Sequence, residues 1–120
     1  MLYPSGPPRD PTQPHLFILM TVPSGPAQQV LMVPVSTRSR RSDTTCVINA
    51  GDHDFFQHES VVEYRYARVE AAERLVRGVA SGEFVEREAV SQKLFDRVRT
   101  GFFQSRFVKP FARKFLDDYG

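Results

Sequence analysis

Proline divides this chain more sharply than any other feature. Eight of its nine prolines fall within the first 34 residues, and four of the first eleven positions are Pro4, Pro7, Pro8 and Pro11. Proline has no amide hydrogen and a fixed φ, so helix interiors and central strands are closed to it, while edges, bulges and turns remain open. Residues 1–14 therefore read as an extended arm, ordered only where it lies against the body at 15–120. The body opens with His15-Leu16-Phe17-Ile18-Leu19-Met20-Thr21-Val22, short, apolar and continuous, which predicts a buried strand. Pro23-Ser24-Gly25-Pro26 predicts a turn. Gln29 to Ser36 predicts a second apolar strand in which Pro34 demands an edge or a bulge. The two strands pair naturally as an antiparallel hairpin.

Beyond Thr37 the proline punctuation stops. Thr37 to Asp43 is a polar, basic loop. Thr44 to Asn49 predicts a third strand, ended by Ala50-Gly51-Asp52, and residues 53–59 read as a loop. Ser60 to about Val69 predicts a fourth strand, with Val62, Tyr64 and Tyr66 alternating against Glu63, Arg65 and Ala67 as on a sheet with one wet face. From Glu70 the period becomes helical: Ala71, Ala72, Leu75 and Val76 fit a short turn or helix that stops at Gly78. Val90, Leu94, Phe95 and Val98 fit a second, with Glu86 and Glu88 near its start and Gly101 past its end. Pro110 suits the first turn of a last helical segment. With 120 residues there is room for one domain. Strands grouped before helices predict an α+β chain, mainly β: a small, partly open antiparallel barrel or sheet with helices packed outside. A doubly wound parallel sheet would need helices between the strands.

Many functions are excluded by what is missing. No apolar run reaches the ~18 residues of a membrane span, and the N-terminus lacks the basic-then-apolar pattern of a secretory signal. The cytoplasm is the expected compartment. Cys46 is the single cysteine, leaving no intrachain disulfide or cysteine-based zinc cluster. Without a glycine-rich phosphate loop, GxSxG, HExxH or a calcium-loop pattern, no cofactor is expected. His53 and His58 stand among Asp52, Asp54 and Glu59, but their spacing is not a ligand pattern, and the segment reads as a capped, Phe-anchored loop.

The net charge of +2 argues for no particular partner. Its distribution says more. From Arg97 to Leu116 there are six basic residues and no acid, interleaved with Phe102, Phe103, Phe107, Phe111 and Phe115. This is the composition of a polyanion or partner surface, and equally of a terminal helix with Phe inward and Arg outward. Phe103, Phe107 and Phe111 stand four apart, so the expectation is a Phe side covering the body and cations facing out, with no local relief of their repulsion. Pro110 should split the tract into two helical pieces.

Metal-free RNA cleavage needs a base for the 2′-hydroxyl, an acid for the leaving oxygen and a cation or donor for the phosphorane. If the hairpin turns at 23–26, His15 falls at the same end of the sheet as Ser36, Thr37 and Arg38, which could supply such groups. Equally, Ser36 and Thr37 could merely end a strand and Arg38 could be solvated.

Val33-Pro34-Val35-Ser36-Thr37, Ala50-Gly51, Glu59-Ser60-Val61-Val62, Ala67-Arg68-Val69 and Gly82-Glu83-Phe84 follow one another in an order that resembles the MazF/PemK toxin family over about residues 15–101. The resemblance implies an SH3-like barrel, a homodimer, a cognate antitoxin, and metal-independent endoribonuclease activity on single-stranded RNA. It maps the catalytic hydroxyl onto Ser36 with Thr37 beside it. Pro14 stands at the family's arginine position and His15 at its proline, so His15 or Arg9 would supply the missing group. Arg38, Arg40, Arg41 and Arg65 would bind the RNA backbone. The alternative is a catalytically degenerate barrel that binds RNA or protein through residues 97–115. A weaker one is a barrel that inhibits a protein target, as gyrase-poisoning relatives of this fold do.

Overall fold

The chain forms β1 (Leu2–Ser5), β2 (His15–Leu19), β3 (Gln29–Thr37), β4 (Val47–Ile48), β5 (Ser60–Val62), a 3₁₀ turn (Tyr64–Tyr66), β6 (Arg68–Ala71), α1 (Ala72–Ser81), α2 (Gln92–Gly101) and α3 (Pro110–Tyr119). This is a computed structural model, and it describes residues 2–5, 15–40, 42–49, 51, 58–85 and 89–120. The six strands make one antiparallel sheet in the order β1-β2-β3-β5-β4, with β6 also on β3. Leu2–Ser5, the start of the proline-rich arm, is a strand against β2. Pro4 is tolerated there because β1 is an edge.

The absence of alternation in β2 and β3 has a direct cause: both faces are covered. Leu16, Ile18, Leu31, Val33 and Val35 pack on one face with Leu94, Val98, Phe102, Ala112 and Leu116 from α2, the turn after it and α3. Phe17, Val30 and Met32 pack on the other face with Leu75 of α1 and Phe84. Each buried Leu, Val or Phe side chain contributes about 1.5–3 kcal/mol relative to exposure, so the helices on both faces secure the central strands. The hairpin turn lies at 25–28, slightly later than expected, closed by reciprocal Ser24–Gln29 backbone bonds of 2.9 and 3.0 Å. Gly25 takes φ 75° there, and a Cβ at this position would lie 2.9 Å from the Tyr119 hydroxyl.

β3 is the central strand, and Pro34 sits in it because its neighbour leaves a gap. A strand residue's N–H and C=O point to the same neighbour, and the Pro34 carbonyl accepts from the Glu63 amide at 2.9 Å. The Pro34 nitrogen therefore faces residues 63–67, where the partner strand turns away and needs no donor. The single strand expected over 60–69 is corrected accordingly. β5 pairs with Val35 to Thr37, β6 with Gln29 to Met32, and the 3₁₀ turn lies between. That turn buries Tyr64 and leaves Tyr66 60% exposed, so their apparent alternation was not that of a strand.

The sheet is also not closed into a barrel; among the described residues β1 and β4 end its main path and β6 pairs with β3 alone. A two-residue β4 offers too few ladder bonds to close it, and α2 and α3 cover the apolar face instead. α1 runs on to Ser81 rather than stopping at Gly78. Gly78 lies on its buried side, where a Cβ would meet the Phe84 ring at 2.1 Å. α2 starts from Ser91, whose Oγ accepts from the Leu94 amide at 3.1 Å. Glu86 and Glu88 lie outside the described residues. Gly101 is the last residue of α2, not a residue beyond it.

Candidate functional site

The hairpin register decides where the first site residues fall. Leu16 pairs with Val35, so His15 and Ser36 lie at the same end of adjacent strands, with Ser5 of β1 opposite His15. The half-buried Ser36 donates through Oγ to Glu63 Oε1 at 2.8 Å. Thr37 pairs with Ser60 and is exposed. Arg38 is held twice: its amide donates to the Glu59 carbonyl at 3.0 Å, and its guanidinium pairs with the Glu59 carboxylate. Both side chains are nearly half exposed, so this pair contributes little stability. Arg40 is exposed, and Arg41 lies outside the described residues.

Arg65, on the 3₁₀ turn two residues from Glu63, reaches into the C-terminal tract. Its guanidinium lies 4.6 Å from the centroid of Phe107, and that of Arg106 lies 5.0 Å from the same ring. A second ring repeats the arrangement: Phe103 carries Arg113 at 4.5 Å and Arg99 at 5.5 Å. Each such contact is worth ~0.5–1 kcal/mol where exposed. Its larger effect is orientation, since a guanidinium over a ring keeps its full charge.

These stacks overturn the expected inward Phe row. Phe103 and Phe111 are 40% and 48% exposed, while Phe102, Ala112 and Leu116 carry the burial. The chain leaves α2 at Gly101 and turns through 102–109 before α3, so helical spacing does not hold across the tract. The expected lack of charge relief is corrected too. Arg113 and Lys114 pair one turn on with Asp117 at 3.8 Å and Asp118 at 3.0 Å, just past the acid-free stretch.

Asp43 fastens the Phe107 segment to the sheet. Its carboxylate accepts from the Thr45 amide at 2.9 Å and from Ser105 Oγ at 2.6 Å, and Ser105 Oγ accepts from the Phe107 amide at 3.1 Å. Partial burial pushes the carboxyl up, but the bonds from Ser105 and Thr45 and the charge of Arg106 outweigh it and hold the group below its usual range. Ser36, Glu63, Arg65, Phe107 and Arg106 thus form one connected neighbourhood that neither hairpin nor tail predicts alone. Glu63 was not among the candidate residues, and its only sequence signal was membership of a misread strand.

No group of His, Cys, Asp and Glu among the described residues could hold a metal ion. Asp52, His53 and Asp54 lie outside the described residues, and no described helix is long and apolar enough to cross a membrane. No protein-family model, curated protein or solved structure matches the chain.

Proposed function

We propose that this chain binds single-stranded RNA across the surface formed by Arg65, Arg99, Arg106 and Arg113 with Phe103, Phe107 and Phe111. The observation that carries the reading is the pair of phenyl rings that each bear two guanidiniums. Oriented cations, with Phe103 and Phe111 40% and 48% exposed beside them, suit a ligand with phosphates and unstacked bases, since a duplex keeps its bases out of reach. The choice of RNA follows the family resemblance. Titration of a labelled RNA oligonucleotide in increasing salt tests it. The double variant Arg65→Ala/Arg106→Ala should bind more weakly and lower the slope of log K on log salt by ~0.7 per lost phosphate contact. An unchanged affinity and slope would overturn the reading.

Cleavage is a second reading, favoured by Ser36, Glu63 and the His15 end of β2. The Glu63 carboxylate, in hydrogen-bond reach of a hydroxyl, has the chemistry of a general base, and Arg38 that of a phosphorane partner. The toxin resemblance would bring a homodimer and an antitoxin with it. Under this reading RNA is cut in the presence of chelator, and Ser36→Ala or Glu63→Gln slows cutting by ~100-fold or more. Equal rates in wild type and both variants would dismiss it.

A further inference from the structure

At the hairpin-turn end of the sheet, a pocket of about 420 Å³ opens between α1 and α2. Both packed faces contribute to it. Met20 and Phe95 come from the core that α2 and α3 cover, and Leu19, Val30 and Leu75 from the one that α1 covers. Ser36 lies six residues along β3 from Val30, about 20 Å away, so this pocket is separate from the neighbourhood described above.

Among the described residues no charged group lines the pocket, and Thr21 supplies its one polar side chain. An ion placed there would give up water with no partner to replace it. The Thr21 hydroxyl is engaged on one side only. Its Oγ1 accepts from the Leu31 amide at 3.1 Å, and among the described residues its own hydrogen has no acceptor. One donor therefore remains for a ligand. The volume lies within the ~300–1,000 Å³ of small-molecule sites and is nearly three times the ~150 Å³ apolar cavity that holds benzene. Phe95 and Met20 suit a flat ring, the first through its aromatic face and the second through a polarisable sulfur. Val22 and Val76 stand 75% and 68% exposed at the mouth. Yet the described lining is ten residues, against the ~20–30 that a stable protein interface draws from each side. That extent fits a small molecule and falls short of a folded partner.

We propose that this pocket binds an uncharged aromatic molecule of about two fused rings with one hydrogen-bond acceptor, which the Thr21 hydroxyl engages. The site does not depend on the RNA-binding reading.

Calorimetric titration of the full chain with 2-acetonaphthone, 2-ethylnaphthalene and 2-naphthoate tests it. The ketone should bind ~3-fold or more tighter than the hydrocarbon, for the added hydrogen bond, and ~10-fold or more tighter than the carboxylate, which must shed its water. Thr21→Val should lower the ketone to the hydrocarbon's affinity, and Thr21→Ser should retain the difference. Val76→Asp, at the exposed mouth, should weaken ketone and hydrocarbon alike. Thermal melts check that each variant is folded. Thr21→Val also strips the Leu31 amide of its acceptor, so Val76→Asp carries the test if that variant does not fold. Absence of saturable ketone binding, a ketone no tighter than the hydrocarbon or the carboxylate, or unchanged ketone affinity in folded Val76→Asp would overturn the proposal. Self-association that Val76→Asp abolishes, without ketone binding, would overturn it as well and give the face to a second copy of the chain.

Discussion

Gly101 shows how a single residue can set the distance between two elements. The Tyr64 hydroxyl donates to the Val98 carbonyl at 2.8 Å, and its ring meets Phe102 edge-on at a centroid distance of 4.8 Å. A Cβ at position 101 would lie 1.8 Å from that hydroxyl oxygen, so α2 can approach the 3₁₀ turn only where the side chain is a hydrogen. Gly101→Ala should therefore destabilise the fold by about 1–3 kcal/mol or more. Adding Tyr64→Phe, which removes the nearest clashing atom, should recover part of the loss and give a non-additive double-mutant cycle in urea melts. Burial also drives the Tyr64 phenol well above its usual titration range, so it stays neutral and keeps donating. The sequence shows Gly101 only as a plausible helix stop, because its clearance role depends on a tyrosine far along the chain. The same limit applies to the candidate site. Ser36 and Arg38 were legible from hairpin geometry, which is local. The Glu63 partner of Ser36 and the Arg65–Phe107 stack were not, since each joins segments that only the folded sheet brings together.

Among the elements, α2 serves three neighbours at once. Its apolar side enters the core, its polar side lines a cleft beside residues 45–47, and Arg99 projects onto Phe103. Ser91 holds its first turn, so Ser91→Ala should cost ~1 kcal/mol and lower the melting temperature by about 3–5 °C. Rescue by Ser91→Asp, another good cap, would separate the cap from other effects of the substitution. The two hairpin strands were readable because an apolar run of that length, bounded by Pro-Ser-Gly-Pro, has few other uses. The segment 60–69 misled because Val62, Tyr64 and Tyr66 have strand spacing while the backbone turns between them. The corrective signal was already present in Pro34: a proline in a central strand requires a partner that moves out of register with it.

For the whole molecule, acid sensitivity should concentrate where Asp43 ties the 43–45 segment to the 105–107 turn. Its folded carboxyl lies below the ordinary value of 3.8, so its stabilisation is fully present above that value and is lost as pH falls through the folded value. Melts between pH 2 and 5 should show a wild-type loss below about pH 3.8 that Asp43→Asn lacks, the variant being less stable at neutral pH. The sheet with covers on both faces has a further consequence, for synthesis. The face of β3 that meets Leu75 and Phe84 is completed by residues that soon follow the strands, whereas the opposite face waits for Ala112 and Leu116. At ~5–20 residues per second a nascent chain spends seconds with Leu31, Val33 and Val35 bare on one side. During that interval the half-made protein is a substrate for chaperones, and a ribosome stalled before α3 releases a sticky fragment.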